Sequence, residues 1–515
     1  MVKRIFILGA GVFGCLWTIA QAPEDVLRYS WQPATGTARV QALGGASGAI
    51  GGEISTMFSN PANIGFYRTG DVVVSPGLQF NKNKNTYWGT KTNNDASNSF
   101  QLGTSGVVLG SDRYGGSVKS SAFGLGVSTI ANFNNEVFYK GHNTHSSMAD
   151  MFIDDFDGNY RNQFGNDLAD RTYWVHYDDA TKRWTSPAID LLSQDGVGLN
   201  QQQRIKSEGG ITELALAGGW NFNNRVYFGT TIGIPIVRYE RTREYQEWDP
   251  TEDNNNNFDY AVFQDYLKTT GAGINLKLGV LFTPTDNFRL GLALHTPTFY
   301  DLQDKYYSSA EANVENYLGG NGKTWVASSY DADAKNYFRN NGVLQSDYQY
   351  RTPLKLMGSF TYLFGNPTNV NSQRGLITGD VEYVGQNMNR FKSSYDDNDD
   401  DRYYDDLNSS IKDYYKSTVN ARLGVELKFN PIAVRLGGAY YSNPYKDVGD
   451  GAKGSMVQAT GGVGYRNKGF FLDLGYVHAL NKDVVFPYRT TYESFQPNFI
   501  KNNAGRVTLT FGIKI

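Results

Sequence analysis

The sequence predicts an all-β fold: a transmembrane antiparallel β-barrel of about fourteen strands with an N-terminal hatch, a small-residue plug, inside its lumen. Three observations carry this. Apolar and polar residues alternate with period two almost everywhere after residue 70. The joints between alternating segments are short and long by turns. A stretch without alternation, crowded with glycine and alanine, precedes the first segment.

The bulk numbers agree with a large sheet. A chain of 515 residues carries 35 Tyr, 30 Phe and 57 Gly, with a mean hydropathy of −0.47. That mixture suits strands that are half apolar and half polar. The net charge of −3 and pI near 6.0 supply no basic field for nucleic acid.

Residues 1–20 have the layout of a secretory signal peptide: basic "MVKR", apolar "IFILGAGVFGCLWTIA", then small residues in "TIAQA". Cleavage is expected after Ala20 rather than Ala22, because Pro23 follows the second site. A lipoprotein reading at Cys15 is weaker, since bulky Phe13 stands where a small residue is usual. Cys15 is the single cysteine, so the mature chain is expected to lack disulfides and Cys-ligated metal. Loss of Lys3 and Arg4 would take the formal charge from −3 to −5.

The strands follow. In "INLKLGVLF", Ile274, Leu276, Leu278, Val280 and Phe282 share one face, and Asn275, Lys277 and Gly279 the other. "NFRLGLALH" repeats the pattern, and "VNARLGVELKF" (419–429) shows it most clearly. Short joints occur at 222–225, 283–287, 429–432 and 466–469; long ones at 141–204, 244–262, 304–345 and 394–413. Short turns on one side and long loops on the other separate a membrane barrel from a tandem of secreted sandwiches. "RVTLTFGIKI" alternates to residue 515, as expected of a strand that closes the barrel against the first. The barrel is assigned to residues 71–515 and is expected to be a monomer.

A barrel of this size encloses more space than its own side chains fill. It is therefore a wide pore or a plugged one, and residues 21–70 are the expected plug. Within them "LGGASGAIGGE" (43–53) and "NPANIGFYR" (60–68), together with "GTAR" (36–39), resemble the N-terminal hatch of the FadL family of long-chain fatty acid transporters. The resemblance is closest to its Bacteroidetes-type branch, and "GGWNFNNRVYFGTTIGIPIVRYE" (218–240) is similar to that branch's central hairpin. Glu53 stands where Asp is common in the family, and Ile54-Ser55 where Ala-Ser is. The resemblance implies a Gram-negative outer-membrane location, contact with outer-membrane lipid, and passive uptake of a hydrophobic small molecule with lateral release; the terminal strand "RVTLTFGIKI" in turn resembles the signals read by bacterial barrel-assembly machinery, an expected partner. Fatty acid, aromatic hydrocarbon and haem all fit a Tyr- and Phe-rich barrel. Alternatives are a shuttle for secreted cargo of the type IX kind and a general porin.

The hatch candidates are Gly44, Gly45, Gly51, Gly52, Glu53, Asn60, Pro61 and Ala62, with Asn60-Pro61 expected to turn the chain into strand one. Arg289, Arg422, Glu426, Arg435, Asp380, Glu382 and Lys428 fall at inward positions; Arg289, Arg422 and Arg435 are candidates for a ligand carboxylate. Pro235 interrupts a strong strand and marks a bulge or a gap. Acidic runs offer Asp155, Asp157, Asp397 and Asp399 as calcium candidates, though none has the full spacing of a calcium loop. His142 and His145 lack a third metal ligand. No motif pairs a serine nucleophile with His295 or His478, and no cofactor motif is present, so an enzyme is not expected.

Overall fold

The computed structural model describes residues 26–113, 115–194, 196–319, 321–329, 342–366, 373–394, 398–446, 453–491 and 495–515. The expected signal peptide, residues 21–25 of the expected plug, Asp397 and the side chain of Asp399 lie outside the described residues.

The wall is built from β1 (71–87), β2 (90–112), β3 (118–143), β4 (Leu199–Phe222), β5 (Val226–Trp248), β6 (Tyr260–Thr285), β7 (288–313), β8 (344–365), β9 (373–393), β10 (Thr418–Phe429), β11 (Ile432–Tyr441), β12 (Met456–Asn467), β13 (Phe470–Val485) and β14 (Asn498–Lys514). Each pairs antiparallel with the next. The last returns to the first, with Val72 opposite Ile513 and Leu78 opposite Val507. Gly70 and Ile515 exchange both backbone hydrogen bonds at 2.8 Å beside that seam.

The faces are inverted relative to a soluble protein. In β10, Val419, Leu423 and Leu427 are 45–52% exposed, while Asn420, Arg422 and Glu426 are buried. The same holds for Leu292 and Leu436 outside against Asn275 and Arg435 inside. A continuous outward apolar band over a polar interior is the signature of a wall solvated by lipid.

The strands run further than alternation showed. β4, β5 and β6 have 24, 23 and 26 residues, about twice what a tilted strand needs to cross a bilayer. They stand above the membrane on the long-loop side, so the first two loops shrink to 144–198 and 249–259, and beyond β7 the segment Thr324–Ser328 adds a strand on Ser309–Asn313. The first folds into α3 (Met148–Asp157), α4 (Asn166–Arg171), a small hairpin and α5 (Pro187–Leu192). Their apolar residues, among them Phe152, Leu168, Trp174 and Leu191, pack on the tall strand ends through Tyr245, Phe263 and Ala312. Glu247 in β5 pins this cap. Its carboxylate accepts from Met148 N at 3.2 Å, Trp174 Nε1 at 3.0 Å, Tyr245 OH at 2.8 Å and the Ser147 hydroxyl. The acidic run at 396–406 enters a helix, α6 (Asn398–Tyr414), rather than an open loop.

Candidate functional site

The segment ahead of β1 lies inside the barrel. Helix α1 (Val26–Ser30), helix α2 (Ala38–Ala42) and two 3-10 turns, Ile54–Phe58 and Pro61–Phe66, follow one another, nearly all buried. Gly44, Gly45, Gly51 and Gly52 take positive φ of 70°, 80°, 73° and 58°, a region that a side chain disfavours. Asn60 and Asn63 knit the two halves. Asn60 Nδ2 and Asn63 Nδ2 both donate to Gly48 O, at 2.8 and 2.9 Å, and Asn63 Oδ1 accepts from Gly51 N at 2.7 Å. Asn60 Oδ1 caps the second turn through Ala62 N at 3.1 Å. Pro61 takes the turn's first position, where its missing N–H has no partner to lose. Asn60-Pro61 therefore turns the chain within the plug, and strand one begins only at Asp71; this corrects the expectation of a turn straight into β1.

The plug touches the wall backbone to backbone. A Cβ placed on Gly219 would lie 2.5 Å from Gly65 N, on Gly291 2.5 Å from Gly48 O, on Gly437 2.5 Å from Gly44 N, and on Gly475 2.6 Å from Ala38 O. These inward glycines stand on β4, β7, β11 and β13, so the girdle is spread around the lumen. It went unread in the sequence, although Gly279, Gly291 and Gly424 sit on the polar face of the alternating segments, where only a close neighbour would exclude a side chain.

Charged residues tie the same surfaces. Arg39 of α2 donates Nε to Glu426 Oε2 at 2.9 Å and Nη2 to Oε1 at 3.1 Å, with Glu53 Oε2 3.6 Å from its Nη1. Arg435 meets Glu426 at 2.7 Å and Asp473 at 2.6 Å. Thr37 Oγ1 donates to Glu53 Oε1 at 2.9 Å. Arg422 pairs with Glu382 at 2.8 Å, and Asp380 accepts from Ser47 N at 2.9 Å. Lys428 donates to Gln373 at 2.6 Å. All seven inward candidates thus face the lumen side, but Arg422 and Arg435 are committed to protein carboxylates. Arg289 is different: among the described residues it has no carboxylate partner. It donates to Ile50 O and lies over Phe66, 4.5 Å from the ring centroid.

Two interruptions of the wall stand out among the described residues. The β2–β3 ladder runs only from Ser105/Val127 to Asp112/Ser120. Beyond it, the piece of β2 at Ser97–Leu102 pairs with β1 alone, while β3 passes inside, held by inward asparagines of β1. Asn81, Asn83 and Asn85 donate to the carbonyls of Asn134, Glu136 and Phe138 at 2.6, 2.6 and 2.9 Å. The second lies between β9 and β10, whose ladder runs to Val384/Thr418, the first residue of β10; above it β9 continues without a partner strand on that side and is met by Asn408 of α6. At Pro235 the β5–β6 ladder skips Ile234 and Pro235 but resumes in the same register, so the proline makes neither a bulge nor an open gap.

The remaining described candidates are scattered. Asp155 and Asp157 lie two apart on helix α3, which points them to different sides, and among the described residues no group of three or more His, Cys, Asp or Glu could hold a metal. His295 Nε2 meets Ser59 O at 2.6 Å, and His478 Nδ1 faces Tyr476 OH at 3.2 Å; neither faces a serine hydroxyl.

By sequence, no family model and no curated protein matches the chain. Solved structures do match its shape. A FadL homologue from Pseudomonas aeruginosa is 12% identical, with 94% of this chain and 99% of that one covered and a TM-score of 0.54. The Ralstonia pickettii toluene transporter TbuX is 13% identical over 94% and 99%, with a TM-score of 0.50. Inverted faces, closed wall and filled lumen converge with these comparisons on one conclusion: the chain has the fold of the FadL-type transport barrels.

Proposed function

We propose that the protein is a passive outer-membrane channel for uptake of hydrophobic small molecules, which leave the lumen sideways into the bilayer. The carrying observation is the β2–β3 interruption, an unpaired strand edge beside a lumen whose axial path is filled by the plug. An aqueous pore gives little help to an alkyl chain, whereas each methylene kept in apolar surroundings is worth about 0.8 kcal/mol. Lateral release keeps the solute out of bulk water, and the plug, held by Asn60, Pro61 and Glu53, is the part that shifts. The likeness to the toluene transporter TbuX and the hatch resemblance both support a hydrocarbon-like cargo. Arg289 is the cation available to a carboxylate if the cargo carries one.

The test is deletion of residues 26–67 with the barrel retained. Single-channel conductance for small ions is expected to rise well above the parent's. Unchanged conductance would end the plug reading, and an intact protein that takes up neither radiolabelled palmitate nor toluene would end the channel reading.

A further inference from the structure

The β9–β10 interruption has a counterpart on each side of the wall. Between Arg351/Arg390 and Lys355/Val384, strand β8 spends residues 352–354 and β9 residues 385–389, the latter as a 3-10 turn at Gln386–Met388. Strand β7 breaks at the same height, between His295 and Phe299. Above Val384/Thr418 no ladder joins β9 to β10. Side chains close the seam instead: Tyr383 OH donates to Ser417 Oγ at 2.9 Å, Ser417 Oγ donates to Asn387 Oδ1 at 3.2 Å, and above them Asn408 of α6 donates Nδ2 to Phe391 O and accepts from Phe391 N, both at 2.8 Å.

Inside the seam lies the first segment of the plug. Ser30 Oγ donates to Gln386 Oε1 at 2.8 Å, Tyr350 OH donates to Val26 O at 3.0 Å, and Lys355 Nζ donates to Gln32 Oε1 at 3.1 Å. A polar cavity of about 30 Å³ sits among Ser30, Gln32, His295 and Lys355, room for roughly one water. Outside the seam, an apolar trough of about 820 Å³ runs along the lipid-facing wall between Trp220, Phe228, Leu278, Leu292, Leu356 and Tyr383. Its upper end is Tyr383, the residue that latches the seam, with Val419 beside it.

We propose that this seam is a second lateral portal, with α1 as its inner door and the trough as the site that receives an uncharged hydrocarbon solute leaving the lumen. The occupant follows from the surroundings: the lining is almost wholly apolar, the trough is continuous with the exposed apolar band, and it begins where the ladder ends. A ladder between strands is a run of buried backbone pairs, whereas this edge is held by separate side-chain hydrogen bonds from Tyr383, Ser417 and Asn408, which are the weaker closure. The proposal rests on the channel reading above, and its test separates the two.

Two cysteine pairs lock the two interruptions. N387C/S417C spans the β9–β10 seam; S99C/N132C spans β2–β3, where Asn132 Nδ2 donates to Ser99 Oγ at 3.1 Å. Uptake of radiolabelled toluene is measured for the oxidised and reduced forms, with each disulfide verified by mass spectrometry. The oxidised seam pair is expected to lose a large part of uptake and recover it on reduction. Full uptake with the seam locked overturns the portal, most plainly if the β2–β3 lock abolishes uptake. Should the parent protein transport nothing, the channel reading fails on its own, and a second measurement decides the trough. Crystals grown with a dibrominated alkane are expected to show bromine anomalous density between Trp220 and Tyr383. Bromine elsewhere on the barrel and none in the trough overturns the site.

Discussion

Gly424 of β10 faces the carbonyl oxygen of Leu43 so closely that a Cβ at 424 would stand 2.5 Å from it. Its neighbour across the ladder is Gly437, which bears on Gly44 in the same way. Two adjacent strands thus grip two consecutive plug residues with no side chain between.

Gly437→Leu is expected to push the plug off the wall. Overpacking of this kind costs about 1–3 kcal/mol, and the barrel ladder does not depend on the displaced contact. The variant should stay heat-modifiable in gels and yet leak small ions in planar bilayers, whereas Leu436→Ile, on the lipid face, should do neither.

Glu426→Gln is expected to weaken the plug from the electrostatic side. It leaves Arg39 and Arg435 in the lumen without their shared carboxylate, and breaking a buried pair costs about 3–5 kcal/mol. Hydrogen exchange should accelerate across Ala38–Ala42. A double-mutant cycle with Arg39→Met should report the coupling between the two residues, with Glu53, 3.6 Å from Arg39, left without its cation in the double variant.

Glu247→Leu should undo the cap and spare the wall. It removes the acceptor shared by Ser147, Met148, Trp174 and Tyr245, and each orphaned buried donor costs about 1–3 kcal/mol. Protease cleavage within 144–198 and a red shift of Trp174 emission are the expected readouts, with barrel strands still protected.

The cap also carries a pH dependence. Burial first, and the neighbouring Asp154 carboxylate second, push the half-buried Asp155 carboxyl up to about 7. With the folded value above the ordinary one of 3.8, the folded cap holds a proton that the unfolded loop releases. Cap stability therefore falls as pH rises between those values and is lowest above about 7. Asp155→Asn should flatten that slope, giving equal proteolytic resistance at acid and alkaline pH where the parent weakens toward the alkaline side.

Alternation told which face a residue takes, and so β10, β6 and β14 were legible to within a few residues, as were the inward positions of Arg422 and Glu426. It could not tell what stands opposite. Gly424 and Gly291 read as mere gaps in the polar face because their partners, Leu43 and Gly48, lie far away in sequence. The inward course of β3 was hidden for a related reason. Its backbone is satisfied by side chains of β1, the alternate asparagines in "NKNKN", and not by a ladder that periodicity reports. Strand height was missed because Gln201, Gln203 and Glu247 are polar inside the cap and look like loop residues.

The closing seam bears on the order of assembly. Plug contacts lie on both sides of it: Ala38 N donates to Thr510 Oγ1 at 2.7 Å on β14, and Gly103 on β2 leaves room for Gly36 O. A sheet that has not yet joined β14 to β1 leaves these two contacts on separate edges. Cyclisation of the wall and burial of the segment that precedes it are thus completed in the same step, and a nascent chain lacking its final strand would present an unfinished interior as well as two raw edges.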